Sequence, residues 1–392
     1  MEKFFIFILL YVLYFIVLVF TRLIKKMFAK VSNNIRIINI KSKAETKKSL
    51  NNIKEMIQEI YHSVGIKENI NIEKEERLIY FVSNKKYQEA IKMIARQLNL
   101  PITINLIKVA SDKRENLYSQ HKESKEFKEA AEIIAEVFIP KEGVPMYGSK
   151  ELEDYPITVR IKDTCLNYPW AFGLTIAHEL SHVLLSSLHI IKRDQLDNEI
   201  LTDLTAMMLG FNFVFMWGRK HDELRKQSVY RKTYGYLSDL QFDFAYKTIE
   251  SMLRDERKKY QNWVRGIEII IESYNRLMEE YKLLYSKFQE YKEIFSKYRF
   301  QNIADYDLKK IVSCFQPDYD NEIMIFIEKY TEEIKENNII YNKYKNISYY
   351  NSRAEEEINN FIEKLKKQVE YINNKINLLQ NDLQILEKYI KY

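Results

Sequence analysis

The string AHELSH, Ala177 to His182, places two of the chain's six histidines four residues apart, with Glu179 beside the first. On an α-helix, positions four apart share a face. Two imidazoles so placed can hold one Zn²⁺, and the adjacent glutamate can reach a water on that metal. Thr175, Ile176, Leu180, Val183 and Leu184 surround them as the apolar positions of a buried helix.

A zinc hydrolase needs a third protein ligand and an open fourth position. DQLDNEILTDLTAMMLGF puts Glu199 seventeen residues after His182, with Asp203 four further on. Glu199 can supply the ligand. Asp203, one turn later, can accept the second ring N–H of His178 or His182, which orients a ligand and raises its basicity. The spacing leaves the two carboxylates interchangeable. It also leaves open plainer roles: hydrogen-bonded histidines, a solvated Glu179, and a Glu199 held by a helix dipole. SSLHIIKRDQ between the motifs is long enough for a turn, so the two helices can run antiparallel with the metal between them. His189, His221 and Cys165 are expected to be structural or solvent-exposed, the thiol by burial.

The elements that must position this site follow from periodicity. A helix is expected from Ser49 to Gly65, a strand in RLIYFVS, a helix in YQEAIKMIARQLNL and a strand in PITINLIKVA. KEFKEAAEIIAEVFIP starts as a helix, and its end reads equally as a strand. Ile157 to Ile161 form a short strand before the metal helix. If that strand lies at a sheet edge, it can bind an extended peptide by strand addition. LTAMMLGFNFVFMW is too short to span a bilayer and reads as a buried core helix. Tyr230, Tyr234, Tyr236, Tyr246 and His221 lie downstream as candidates to stabilise an oxyanion, with nothing to choose among them.

Phe4 to Phe20 are seventeen residues without charge, Gly or Pro. That is near the lower bound for a transmembrane helix, and no small-x-small cleavage site follows it. Arg22, Lys25, Lys26 and Lys30 come directly after, so the positive-inside rule places the rest of the chain in the cytoplasm. Two cysteines imply no disulfide framework and agree with a reducing compartment. The net charge of +6 in 392 residues is too small to argue for nucleic acid, and none is expected as a partner. Eight Gly and six Pro favour a mainly helical chain.

From Trp263 a seam of Ile267, Ile270, Tyr274, Leu277, Tyr281, Leu284, Phe288, Tyr291, Phe295 and Tyr298 steps alternately by three and four. A second seam runs from Ile358 through Ile362, Leu365, Val369, Ile372, Ile376, Leu379, Leu383 and Leu386 to Ile390. This is heptad spacing, and it calls for partners: each other as an antiparallel pair, or a second chain or another protein. The expected division is a transmembrane anchor at 1–24, a basic linker at 25–48, an α+β region at 49–150 and a catalytic region at 151–250. A long coiled-coil-like helix at 251–300, a helical connector at 301–350 and a coiled coil at 351–392 complete it.

HELSH followed by NEILTD resembles the HExxH plus E-x-x-x-D arrangement of gluzincin metallopeptidases, such as the thermolysin-like enzymes. The resemblance covers residues 150 to 245. It implies zinc held by His178, His182 and Glu199, water activation by Glu179, and Asp203 supporting His178. DYPITVRI, AHELSHVLL, EILTDLTAMMLGF and YGYLSDLQFDFAY are also similar to a group of uncharacterised bacterial and archaeal zinc-peptidase-like proteins. With one span, the chain departs from multi-span prenyl-protein peptidases, whose substrates are therefore not implied. The expected fold is mainly α with a small α+β region, a zincin-like core and long C-terminal coiled-coil helices. The expected function is a membrane-anchored zinc endopeptidase acting on a protein or peptide. The alternative is a membrane-anchored coiled-coil scaffold whose zinc site is structural or vestigial.

Overall fold

A computed structural model describes residues 46–110, 134–192, 194–225, 228–297 and 305–390. The apolar run 4–20 and most of the basic linker lie outside these residues. Helix α1 covers 46–64 and stops at Gly65, whose φ of 82° is left-handed. Strand β1 (Ile66–Lys67), α2 (Ile72–Ser83), α3 (Tyr87–Gln97) and β2 (Thr103–Val109) follow. Then come β3 (Ala135–Phe138), β4 (Pro156–Lys162), α4 (Pro169–Ser187), α5 (Gln195–Ala206) and α6 (Asn212–Gly218). The hairpin β5 (Lys220–Arg225) and β6 (Ser228–Thr233) leads into α7 (Asp239–Lys297). Helices α8 (Asp305–Cys314), α9 (Pro317–Lys345) and α10 (Ser352–Ile390) complete the chain, with β7 (Tyr349–Tyr350) before α10.

RLIYFVS is helix, not strand. Its apolar run alone fits either state, but the residues before it decide the matter. Asn71 accepts a hydrogen bond from the Lys74 N–H, and Glu73 and Glu75 sit in the first turn. The cap and the two acids satisfy the start of a helix, and Leu78 and Val82, four apart, bury its inner face. The end of EIIAEVFIP, by contrast, is strand β3.

The main sheet has the order β2-β4-β3, parallel between β2 and β4 and antiparallel between β4 and β3. Ile157, Val159 and Ile161 of β4 are buried, and Thr158 and Arg160 take the other face. β4 is therefore the central strand with both edges paired, which corrects the expectation that it could lie at an edge. Among the described residues, β2 and β3 are the two edge strands of this sheet. Because β4 lies between β2 and β3, the segments 49–150 and 151–250 share one sheet.

One helical run among the described residues, Gln195–Gly218, is long and apolar enough to cross a membrane, and 83% of its most apolar window is buried inside the protein. It comprises α5, the five-residue π-helical turn Met207–Phe211 and α6. Val214, Phe215 and Phe211 pack in the core that surrounds α4.

The C-terminal seams meet within the chain. Tyr274, Leu277, Met278, Tyr281 and Phe288 of α7 share a buried cluster with Ile372, Ile376, Leu379, Leu383 and Leu386 of α10. Lys259 pairs with Glu355, and Tyr291 reaches Glu387, so α7 and α10 run parallel rather than antiparallel. The reason is α9, which returns the chain to the base of α7 before α10 begins. Lys292 bonds Asp320 and Tyr274 bonds the Tyr330 carbonyl, so α9 runs antiparallel to α7. The base is fixed by β1 pairing with β7. Ile376 is 4% exposed in this arm. Ile376→Asp is expected to cost about 3 kcal/mol or more, because the new charge is buried without a partner. Calorimetry should show a lower melting temperature with the oligomeric mass unchanged; a loss of mass without destabilisation would contradict intrachain packing.

Candidate metal centre

The metal helix α4 starts with Pro169 at its first turn and is buried along most of its length. It ends at Ser187 with Leu188 as its cap, followed by His189 in a left-handed conformation (φ 57°), where the His189 and Ile190 N–H groups bond back to the Ser186 and Leu185 carbonyls. His189 is thus a helix terminator. The chain turns, Asp194 caps α5 by accepting from the Asp197 N–H, and α5 packs back across α4.

His178 Nε2 lies 3.1 Å from Glu199 Oε2, His182 Nε2 lies 3.3 Å from the same oxygen, and the two Nε2 atoms are 3.2 Å apart. These three residues form a group able to hold a metal ion. The edges of a tetrahedron with metal–ligand bonds of about 2.0–2.1 Å are about 3.3 Å, so the triangle has the size that zinc requires.

The outer nitrogens fix the tautomers. His178 Nδ1 is 2.8 Å from Asp203 Oδ1 and donates to it. Thr202 Oγ1 donates to the Asn198 carbonyl at 2.7 Å, so it accepts from His182 Nδ1 at 3.1 Å. Both Nε2 atoms then present lone pairs to one point beside a carboxylate. Such a set is stable only around a cation or a proton. Its pKa values say the same. Burial disfavours a charged His178, but hydrogen bonds and charge from Asp203 and Glu199 outweigh that and push its pKa well above the ordinary value. Burial raises Glu199, but hydrogen bonds from both histidines outweigh it and leave its carboxyl well below the usual range.

Glu179 is 7% exposed and makes no contact within the triangle, yet it feels the charges of His178, His182 and Glu199. Burial raises its pKa, as a proton acceptor near neutrality requires. Its carboxylate also accepts the backbone N–H of Val137 on β3. Lys162 N–H bonds the Ile134 carbonyl, and this sets the ladder so that Val137 turns its N–H away from β4. The outer edge of β3 therefore faces Glu179.

Among the downstream candidates whose side chains are described, Tyr236 is the one brought to the triangle. Its ring stacks on His178, with centroids 5.4 Å apart and planes 23° apart, and its N–H donates to Asp203 Oδ2 at 2.6 Å. Asp203, 1% exposed, thus holds His178 with one oxygen and the Tyr236 backbone with the other. Gly235 makes this approach possible: its φ is 83°, and a Cβ there would sit 2.9 Å from Asp203 Oδ2. Burial, then the charges of Glu199, Glu179 and Asp203, push the Tyr236 phenol up, so it remains an O–H donor at neutral pH. Tyr246 instead packs against Phe213 and Phe242. Cys165 is fully buried beside Thr175.

Thr202 and the Val137 backbone were not legible as site groups. Thr202 sits three after Glu199, hence on its helical face, which is the signal that could have found it. Val137 acts through its backbone and leaves no sequence signal.

In motif and geometry this is an HExxH-type zinc-binding site, of the kind carried by gluzincin-like metallopeptidases, and it is consistent with a catalytically active zinc metallopeptidase. Comparison with protein families, curated proteins and solved structures found no match for the chain.

Protons compete with the metal for His178. The raised His178 pKa stabilises the metal-free protein fully below the ordinary value of 6.5, and that contribution is lost as pH rises through the folded value. Metal binding needs the neutral ring and strengthens over the same rise. The melting-temperature gap between metal-loaded and chelator-stripped protein is therefore expected to widen from pH 6 to pH 9. A gap that is flat or narrows, in a pH series of melting curves, would contradict the assignment of His178.

Proposed function

We propose that the protein is a membrane-anchored zinc endopeptidase, with a protein or peptide as substrate. The single observation that carries this reading is the triangle of His178, His182 and Glu199 ligand atoms, 3.1–3.3 Å on each side, with Glu179 buried beside it. Zinc is the metal that this N, N, O donor set and spacing favour, with the residues otherwise oriented by Asp203 and Thr202. A zinc ion bound there supplies Lewis acidity for the scissile carbonyl and activates water. Glu179 takes the proton of the attacking water and hands it to the leaving amine. Tyr236 donates its O–H to the oxygen on which charge develops. An extended substrate lies along the outer edge of β3, past the Val137 N–H that holds Glu179, and this strand takes the role that the sequence offered to β4.

The side chains of His182 and Glu199 are 24% and 15% exposed, which supports an accessible fourth position rather than a closed structural site. The apolar run 4–20 and the basic residues Arg22, Lys25, Lys26 and Lys30 support a single-pass anchor with the site in the cytoplasm. The arm formed by α7, α9 and α10 selects or positions the substrate, or carries a partner protein. Incubation of the full chain with a mixed peptide set, read by mass spectrometry, tests the activity. Cleavage is expected, lost with a chelator and restored by zinc. Zinc-loaded protein that leaves every peptide intact would favour the scaffold instead. A cysteine at Lys41 is expected to resist an impermeant thiol reagent in intact cells, and ready labelling would move the site outside.

A further inference from the structure

We infer that Arg219 is a positioning residue that holds Tyr236 against the metal site; this rests on the peptidase reading of that site. Arg219 directly follows α6, and its carbonyl accepts the Tyr234 N–H at 2.8 Å. The chain between them is the β5–β6 hairpin, so this bond closes the hairpin at its root. The guanidinium then turns toward the other end of the loop. It donates to the Leu237 carbonyl and, at 2.5 Å, to Asp239 Oδ1, and it lies over the Phe242 ring at 5.1 Å. Gly235 and Tyr236 are therefore held between two fixed points contributed by one residue. The third point is Asp203, which accepts the Tyr236 N–H from the opposite side.

The cost of this arrangement marks it as more than packing. Arg219 is 5% exposed, and its Nε finds no hydrogen-bond partner. A buried arginine is expensive unless its hydrogen bonds repay its desolvation, and an apolar residue would fill the same space without that penalty. What an apolar residue cannot do is bond Leu237 O and Asp239 together. Leu237 is itself buried, so the loop has an apolar anchor already. The guanidinium adds direction: it fixes the carbonyl of Leu237, the residue after Tyr236, and so restrains the loop that lays the Tyr236 ring on His178. Lys220 binds the other oxygen of Asp239 at 2.8 Å, which keeps that carboxylate aimed inward although it is 68% exposed.

The test compares the full chain with Arg219→Met, Asp239→Asn, Tyr236→Phe and the Arg219→Met/Tyr236→Phe double variant. Asp239→Asn alters only the exposed end of the clamp and guards against a misfolded Arg219→Met. Hydrogen exchange of the 234–239 segment is read by mass spectrometry, together with zinc content, kcat and KM. We expect exchange there to quicken about tenfold or more in Arg219→Met and in the same direction in Asp239→Asn, with α4 and α5 unchanged and zinc retained. kcat should fall about 10–100-fold with KM within about threefold, and the double variant should be no slower than Tyr236→Phe alone. Multiplied losses in the double variant, or unchanged exchange in both clamp variants, would overturn the inference. If exchange quickens while the parent protein cleaves nothing, the clamp stands and the peptidase reading fails.

Discussion

Glu179→Gln is expected to keep one zinc per chain and to lose about 10²–10⁴-fold in peptide hydrolysis. The two halves of this result have separate causes. Glu179 lies outside the triangle of ligand atoms, so no metal bond is removed. An amide of the same size still fits its buried position. It cannot take a proton from water, however, and it no longer offers a charged acceptor to the Val137 N–H on β3. Elemental analysis and steady-state kinetics on one preparation read both halves. Loss of zinc in the variant would place Glu179 among the ligands; retained activity would place the base elsewhere.

His182→Ala and Glu199→Ala are each expected to abolish zinc retention, and Asp203→Asn to weaken affinity or activity about 10–100-fold. The first two remove one vertex of the triangle and leave two ligands, too few for a stable site. Asp203 acts at one remove. Its two oxygens serve His178 Nδ1 and the Tyr236 N–H at once, and an asparagine has one oxygen to offer. The variant must abandon either the ring or the loop. Competitive chelation separates these cases. If Asp203→Ala strips the metal while Glu199→Ala keeps it, the two carboxylates have exchanged roles.

The site was legible where chemistry leaves a periodic mark. HELSH and NEILTD placed His178, Glu179, His182, Glu199 and Asp203 on two helix faces, and the structure brings all five together. Tyr236 was legible only as one of five candidates, because a loop residue carries no period. Gly235 was the usable sign, since a glycine before an aromatic residue allows the backbone to approach a carboxylate closely. RLIYFVS failed for a different reason: seven apolar-rich residues fit either a strand or a helix, and the cap at Asn71 lies six residues upstream. The position of β4 was illegible as well. Which strand is central depends on pairing between segments about twenty to fifty residues apart, which no local pattern records. The heptad seams predicted buried stripes correctly on α7 and α10, yet said nothing of direction, which α9 decides.

X-ray absorption at the zinc edge of the metal-loaded full chain tests the central claim most directly. The account predicts two imidazole nitrogens and carboxylate oxygen at about 2.0–2.1 Å, with a further light donor from water at the open position. A sulfur at about 2.3 Å, a third imidazole, or no imidazole scattering at all would contradict it.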